Sequence, residues 1–302
     1  MTAPCPICGG TRLRPLVAEA ERSLRRCRAC GAVHLWPRPA SAVLEETVDR
    51  AAARRLPRER ETAVLERIRA RNREILERLE RRGCRGSLLD VGCGRGILME
   101  DARRRGWRVA GVELAGKIAE EGIEERGLDI KVGTLADAAF PAASFDAVIF
   151  SHSLEHLAAP AEALREAAGL VRAGGWVYVE TPHWGSLSSR LLGRGWWNVD
   201  PDNHLFLFSR RALEILARRA GLEAREFRGT HFDATAVLIR RARLRDPALN
   251  DLVCINELRD RLFSIRGAWR AARVLDSCAA LLLGRSLLND YLECWLQRPA
   301  VP

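Results

Sequence analysis

The chain has 302 residues, of which 47% are hydrophobic and 29% are charged, and its formal net charge is +10. This composition supports one large or two modest globular domains and excludes collagen-like, low-complexity and coiled-coil arrays. No run of about 18 apolar residues occurs, so a membrane-spanning helix is not expected. The first residues lack the charged and apolar segments of a secretory signal, which favours a cytoplasmic location.

Four of the nine cysteines form two CxxC pairs near the start of the chain, at Cys5, Cys8, Cys27 and Cys30. Four thiolates in this spacing are a soft, tetrahedral ligand set that selects Zn2+. Because all four ligands come from the protein, the predicted zinc site is structural and has no position for a catalytic water. We therefore predict a zinc ribbon over residues 1–39. Such a ribbon can grip RNA, another protein or only its own chain.

Most of the positive charge lies in the N-terminal part, since residues 1–85 carry 20 arginines, no lysine and 11 acidic residues. This surplus fits a nucleic-acid or anionic-membrane partner, or a solvated helix in which arginine alternates with glutamate. Apolar residues recur at three- and four-residue spacing between residues 64 and 79, which predicts a helical linker or cover over residues 40–84. Gly83 is its expected C-terminal cap.

A glycine-rich turn follows this helix. A short apolar segment that contains Asp90 reads as a buried strand, and Gly92, Gly94 and Gly96 come next in a GxGxG pattern before another helix. Glycines at a strand-to-helix turn allow the backbone and the free N–H groups of the helix to approach a ligand. A second strand ends at Glu113, 21 residues after Gly92, where a carboxylate suits the hydroxyls of a ribose.

The order of strands, turns and helices over residues 87–232 resembles the class I S-adenosylmethionine-dependent methyltransferases. The resemblance rests on the place of Asp90 before the GxGxG turn, on the FD and LEHL motifs of residues 145–157, and on the Gly174 and Gly175 turn into a further strand. It implies an α/β fold, a Rossmann-like seven-stranded sheet with helices on both faces, and S-adenosyl-L-methionine as the cofactor.

The resemblance also implies how the C-terminal part is organised. The methyltransferase domain would span residues 85–302, and its last, antiparallel strand is expected at residues 290–296. A helical insertion at about 234–288 is expected before that strand. The insertion would form a cover on the core, a lid, a homodimer face or a contact with a membrane surface.

The cofactor contacts follow from the resemblance. Asp90 and the three glycines would line the methionine end, and Glu113 would accept hydrogen bonds from both ribose hydroxyls. The implied set is Asp90, Gly92, Cys93, Gly94, Gly96, Glu113, Leu114, Thr134, Leu135, Ser151 and His156. The adenine contact departs from the family pattern, because Thr134 and Leu135 follow the third strand where an aspartate is common, and Asp137 lies further on.

Five of the six histidines lie between residues 152 and 231, after the predicted fourth and fifth strands. Ligands of open α/β sheets bind at this edge, and histidine titrates near neutral pH, so a proton-accepting base is expected here. The candidates are His204, His156 and His183, whereas His152 and His231 are assigned structural roles.

The segment around His204 resembles the substrate-side loop of methyltransferases from sugar, glycolipid and natural-product pathways, which often ends in HLxxFS. The residues expected to face the acceptor are Trp184, Trp196, Trp197 and Asn203. The tryptophans fit either a stacking wall for the acceptor or the hydrophobic core.

The sequence therefore predicts methyl transfer to an oxygen, nitrogen or carbon of a small-molecule acceptor, such as a sugar-bearing or natural-product scaffold. The alternative is an RNA base methyltransferase whose ribbon and basic N-terminal part grip phosphates. Against it, the chain lacks a base-flipping tetrapeptide and an aromatic-interleaved basic stripe. A regulatory protein that has kept the fold without activity is disfavoured by the intact Asp90, Glu113 and glycines.

Overall fold

A computed structural model of the protein describes residues 3–18, 22–37, 39, 58–230 and 290–300. The first part of the predicted helical cover (40–57), His231 and the predicted insertion (234–288) lie outside these residues. The chain divides into two compact units, which are described separately. The first unit comprises residues 1–37, 182–212 and 227–293, and the second comprises residues 38–181, 213–226 and 294–302.

The secondary structure of the described residues alternates between strands and helices beyond residue 87. The strands are β1 (Leu13–Ala18), β2 (Ser23–Cys27), β3 (Val33–Trp36), β4 (Ser87–Val91), β5 (Arg108–Glu113), β6 (Ile130–Val132), β7 (Phe145–Ser151), β8 (Val171–Pro182), β9 (Phe206–Leu207), β10 (Glu223–Thr230) and β11 (Tyr291–Gln297). The helices are α1 (Arg58–Arg81), α2 (Ile97–Arg104), α3 (Gly116–Arg126), α4 (Pro160–Leu170), α5 (Leu187–Leu192) and α6 (Arg210–Arg219).

A four-stranded sheet with the order β1-β2-β3-β9 belongs to the first unit. The strands β1, β2 and β3 form an antiparallel meander, and β3 then pairs with β9 through Val33 opposite Leu207 and His34 opposite Phe206. The ribbon predicted over residues 1–39 therefore contains only three of the strands of its sheet. The fourth comes from the chain near residue 206.

A seven-stranded sheet with the order β10-β11-β8-β7-β4-β5-β6 is the framework of the second unit. The five strands from β8 to β6 are parallel. The strand β11 runs against β8, because Gly174 donates to Arg298 O and Arg298 donates to Gly175 O, both at 3.0 Å. The Rossmann-like sheet and its antiparallel last strand are thus confirmed. The connections reverse direction beside β4, and ligands of open α/β sheets bind at the carboxyl ends of strands at such a point.

The helix α1 covers one face of this sheet. Its residues Ile75, Leu76 and Leu79 are at most 1% exposed and pack in a cluster with residues of β4, α2 and β7. Burying a leucine side chain contributes roughly 1.5–3 kcal/mol, so the covering helix is an integral part of the unit. The expected cap is also confirmed, since Gly83 follows α1 with a φ of 77°.

No helix in the described part of the chain is long and apolar enough to cross a bilayer.

Candidate active site

The four cysteines of the two CxxC pairs lie together in the first unit. Their sulfur atoms are all within 4.8 Å of one another, with 3.7 Å between Cys5 and Cys30 and 3.5 Å between Cys8 and Cys27. A tetrahedral zinc ion with Zn–S bonds of about 2.3 Å separates its sulfur ligands by about 3.8 Å. The cluster therefore has the size and chemistry of a metal site with four thiolate ligands.

This cysteine cluster is joined to the segment that follows β8. The hydroxyl of Ser209 donates to the carbonyl of Cys30 at 2.6 Å and accepts from the amide of Ala212 at 3.1 Å, where α6 begins. The amide of Leu35 donates to Leu205 O at 2.9 Å. Within the first unit, the ribbon thus holds the segment that was predicted to face the acceptor.

The glycine-rich turn connects β4 to α2 as predicted. Gly92, Gly94 and Gly96 have φ values of 72°, 54° and 74°, which a residue with a Cβ atom adopts only with strain. A Cβ atom at Gly92 would lie 2.5 Å from Ser153 Cβ, so this glycine is required for close packing. At Gly94 a Cβ atom would meet nothing nearer than Ile118 at 4.0 Å, which leaves space for a ligand over the turn.

Two buried carboxylates flank this turn. Glu113 ends β5 and is 6% exposed, and it accepts hydrogen bonds from Gly94 N at 2.8 Å and from Ala115 N at 3.0 Å. Asp90 lies on the central strand β4 and is 3% exposed. Burial raises the pKa of Asp90 to about 7, and the negative charge of Glu113 adds to this effect. A cationic group of a ligand would stabilise the ionised form of Asp90.

The other predicted cofactor residues occupy the same edge of the sheet. Cys93 lies in the glycine-rich turn, half-buried, and Leu114 follows β5 directly. After β6, both the amide and the hydroxyl of Thr134 donate to Asp137, at 3.0 and 2.5 Å. This loop turns Leu135 inward, where it is 7% exposed.

The end of β7 carries the remaining cofactor candidates. Ser151 is the last residue of the strand and lies opposite Glu180 of β8 in the parallel register. His156 ends the short 3-10 turn Leu154–His156, and it is half-buried. Ser153, between them, donates its hydroxyl to Val91 O at 2.5 Å, which fixes the loop against the strand that leads into the glycine-rich turn.

The predicted acceptor-side residues differ in their exposure. His183, Trp184 and Trp196 are 5%, 6% and 0% exposed, and Trp196 donates to the buried carboxylate of Asp290 at 3.2 Å. All three of these side chains are therefore buried. Trp197, Asn203 and the predicted base His204 are each only half-buried.

The two half-buried polar residues of this segment are oriented by short hydrogen bonds. His204 has its Nδ1 atom 2.9 Å from Asn198 O. The bond makes Nδ1 the protonated nitrogen and leaves the lone pair on Nε2. The side-chain amide of Asn203 donates to Asp200 at 2.7 Å.

A charged cluster at the ends of β7 and β8 was missed by the sequence analysis. It comprises Arg71, His152, Glu155, Tyr178 and Glu180, and is called the His152 cluster below. Glu155 and Glu180 are each 1% exposed. Arg71 donates to both oxygens of Glu180, at 3.1 and 3.0 Å, and also to the hydroxyl of Tyr178 at 2.7 Å. The only sequence signal was a histidine three residues before a glutamate, and that signal is weak.

The fold, the glycine-rich turn and the paired carboxylates on β4 and β5 define a class I S-adenosylmethionine-dependent methyltransferase. Residues 63–226 match the family model described as a methyltransferase domain, and the chain belongs to this family. The predicted enzyme class is thereby confirmed.

Curated relatives and solved structures agree with this assignment. A ubiquinone biosynthesis O-methyltransferase from Ralstonia nicotianae is 33% identical over 178 residues, which cover 55% of this chain and 74% of that protein. One from Nitrosococcus oceani is 32% identical over 166 residues, which cover 48% and 67%. An S-adenosylmethionine-dependent methyltransferase structure from Archaeoglobus fulgidus shares the fold, with a TM-score of 0.53, 18% identity and coverage of 77% and 94%.

Proposed function

We propose that the chain transfers a methyl group from S-adenosylmethionine to a hydroxyl of a small biosynthetic intermediate, such as a sugar-bearing or natural-product scaffold. The observation that carries the proposal is the pair of buried carboxylates, Asp90 and Glu113, on either side of a glycine-rich turn with open space above it. The choice of oxygen is supported by the relatives, which are named as O-methyltransferases.

The residues around the turn fit the donor molecule. Asp90 would bind the ammonium group of the donor, and Glu113 would accept hydrogen bonds from its ribose hydroxyls. The space over Gly94 would let the donor approach the backbone of the turn closely. Leu135, turned inward after β6, would pack on the adenine. The bound donor supplies an electrophilic methyl group on a sulfonium, so the protein has only to align the acceptor and remove its proton.

The acceptor would lie beyond the carboxyl ends of β7 and β8. Of the three histidines predicted as bases, His156 in the second unit and His204 in the first are half-buried and stay candidates for contact with the acceptor, whereas His183 is almost fully buried. The half-buried Trp197 and Asn203 are the side chains of the predicted set that can still reach a ligand surface.

We also propose that the cysteine cluster binds one structural zinc ion. The four sulfurs have the right spacing, and the amide of Gly10 donates to Cys8 Sγ at 3.4 Å, as is typical of a thiolate ligand. The zinc would supply no chemistry to the reaction. It would hold the ribbon, and with it the strand β9, in place.

The test is an acceptor screen. The purified protein is incubated with isotope-labelled S-adenosylmethionine and a panel of phenols, sugars and glycosides, and label in each acceptor is measured with the attachment atom determined by NMR. We expect an O-methyl product that is lost in Glu113→Ala. Label on carbon or nitrogen only, or no labelled small molecule at all, would refute the proposal.

An RNA substrate is the second candidate function, and one surface observation favours it. Arg12, Arg14, Arg26 and Arg28 are exposed on one face of the hairpin formed by β1 and β2, with Arg14 directly opposite Arg26. Like charges in directly opposite positions destabilise a sheet, so this arrangement suits an anionic partner better than the sheet itself.

Salt dependence distinguishes this candidate. If RNA is the substrate, the affinity for tRNA falls steeply with salt, and Arg14→Gln with Arg26→Gln lowers the slope of log K against log salt by about 1–2. If tRNA binds weakly, if its affinity is the same in the double variant, and if a small molecule is methylated, the RNA function is refuted and small-molecule methylation remains.

A further inference from the structure

We propose that His152 is the catalytic base that takes the proton from the acceptor hydroxyl, with Glu155 and Glu180 stabilising the imidazolium that forms. This inference rests on the proposed function. It departs from the sequence analysis, which gave His152 a structural role and sought the base at His156, His183 or His204.

The first argument is the position of the residue. His152 directly follows β7, at the switch point of the sheet, and the next residue, Ser153, packs against Gly92 of the cofactor turn. The His152 side chain is 42% exposed, although Glu155 and Glu180 beside it are each 1% exposed. An imidazole that is accessible to a ligand is therefore adjacent in sequence to Ser153, the residue that packs against the glycine-rich turn.

The second argument is the backbone. His152 has a φ of 55°, in the left-handed region that residues other than glycine seldom adopt. Its amide donates to Glu180 O at 2.9 Å, so the neighbouring strand holds this conformation. Unfavourable backbone conformations that the surroundings enforce are concentrated at functional sites.

The third argument is the placement of charge around the ring. His152 Nδ1 lies 3.6 Å from Glu155 Oε1, and Nε2 lies 3.9 Å from Glu180 Oε2. Both ring nitrogens therefore face carboxylates, which favour the protonated ring. Arg71, on α1, holds Glu180 with two N–H groups and acts against protonation from further away.

The balance of these groups favours a base. Desolvation of the ring lowers the pKa of His152, but the adjacent carboxylates of Glu155 and Glu180 outweigh this effect, so that the pKa is raised from its ordinary value. Carboxylates beside a histidine act in this way in other bases, where they orient the ring and stabilise the imidazolium.

The proposed step is balanced. The acceptor oxygen forms a bond to the methyl carbon while the carbon–sulfur bond of the sulfonium breaks, and the electron pair of that bond stays on sulfur. The O–H proton passes to Nε2 of His152. Glu155, near Nδ1, and Glu180, near Nε2, then face a ring that carries one positive charge. Arg71 and Tyr178 are positioning residues that act through Glu180, since Arg71 donates to both of its oxygens and the Tyr178 hydroxyl donates to Oε2 at 3.1 Å.

The experiment uses His152→Asn in the full-length protein, because asparagine tolerates a positive φ but cannot accept the proton. The probes are a weakly acidic phenol and a nitrophenol that is already ionised at the assay pH. We expect kcat for the weakly acidic phenol to fall by about 10²–10⁴-fold, with the affinity for S-adenosylhomocysteine unchanged. The nitrophenol needs no base, so its rate should fall by less than about tenfold.

Matched variants separate the alternatives. His156→Asn and His204→Asn should lower the rate with both phenols equally if these residues only bind the acceptor. The inference is overturned if His152→Asn retains activity within about tenfold on the weakly acidic phenol, or if it loses activity equally on both probes. Failure of the wild-type protein to methylate any hydroxyl is a different outcome, which refutes the proposed function.

Discussion

The ionisation of Asp90 makes a prediction about both stability and cofactor binding. Its pKa rises from 3.8 to about 7 on folding, chiefly because the side chain is buried. Between these values the folded protein holds a proton that the unfolded chain has released, so stability falls as pH rises, by about 1.4 kcal/mol per pH unit. Over about 3 units the total is about 4 kcal/mol, reached near pH 7 and constant above it.

The perturbation is Asp90→Asn, which removes the charge and keeps the size. Asparagine is also polar and buried, but its cost does not change with pH, so the pH dependence of the difference isolates the carboxylate. Urea unfolding from pH 4 to pH 8.5 should show the variant gaining up to about 4 kcal/mol on the wild type as pH rises. The exposed Asp129→Asn is the matched control and should follow the wild type at every pH.

The same carboxylate sets the pH dependence of donor binding. An ammonium group on the ligand requires ionised Asp90, so below about pH 7 the affinity for S-adenosylhomocysteine should fall about tenfold per pH unit. The affinity of Asp90→Asn should be lower and should lack this slope, as measured by calorimetry. Parallel pH curves for the wild type and Asp90→Asn, in stability and in affinity, would refute the reasoning.

Three further predictions concern the turn, the metal and the His152 cluster. Gly94→Ala and Gly127→Ala, with φ values of 54° and 58°, should each lose about 1 kcal/mol in thermal unfolding, and only Gly94→Ala should lose donor affinity. Cys27→Ser should release zinc, measured by mass spectrometry, and speed hydrogen exchange at the Leu35 amide, while donor affinity stays constant; retained zinc would refute the assigned ligand set. Tyr178→Phe should cost about 1–2 kcal/mol and slow methyl transfer without changing KM, because it removes a donor to a buried carboxylate.

The parts of the fold that the sequence predicted are those with local signals. The apolar run Ser87–Val91, the glycines after it and the acid at Glu113 lie within one strand–helix–strand segment, and their meaning does not depend on distant residues. The strand near residue 290 was predicted from the resemblance, and it begins one residue later than expected. Periodicity and turn chemistry are sufficient for such elements.

The parts that the sequence did not predict depend on pairing between distant residues. Arg71 and Glu180 are 109 residues apart in the chain, so their ion pair forms only when α1 lies against the sheet. The strand β9 has two residues, too few for a periodic pattern, and it is defined only by its partner β3. The left-handed φ of His152 likewise has no signature in the residue type alone.

The pairing of β3 with β9 gives a physical reason for a metal in the first unit. The strands β1, β2 and β3 of the ribbon have only 6, 5 and 4 residues, and a module of this size cannot bury enough apolar surface to fix its own geometry. The proposed zinc ion, held by the four thiolates, would supply the missing free energy of folding. Because Ser209 and Leu205 bond to the same ribbon, loss of the metal should disorder the segment carrying His204 before it affects the donor site. A metal-free protein that still binds S-adenosylhomocysteine but no longer methylates its acceptor is therefore the expected result of chelation.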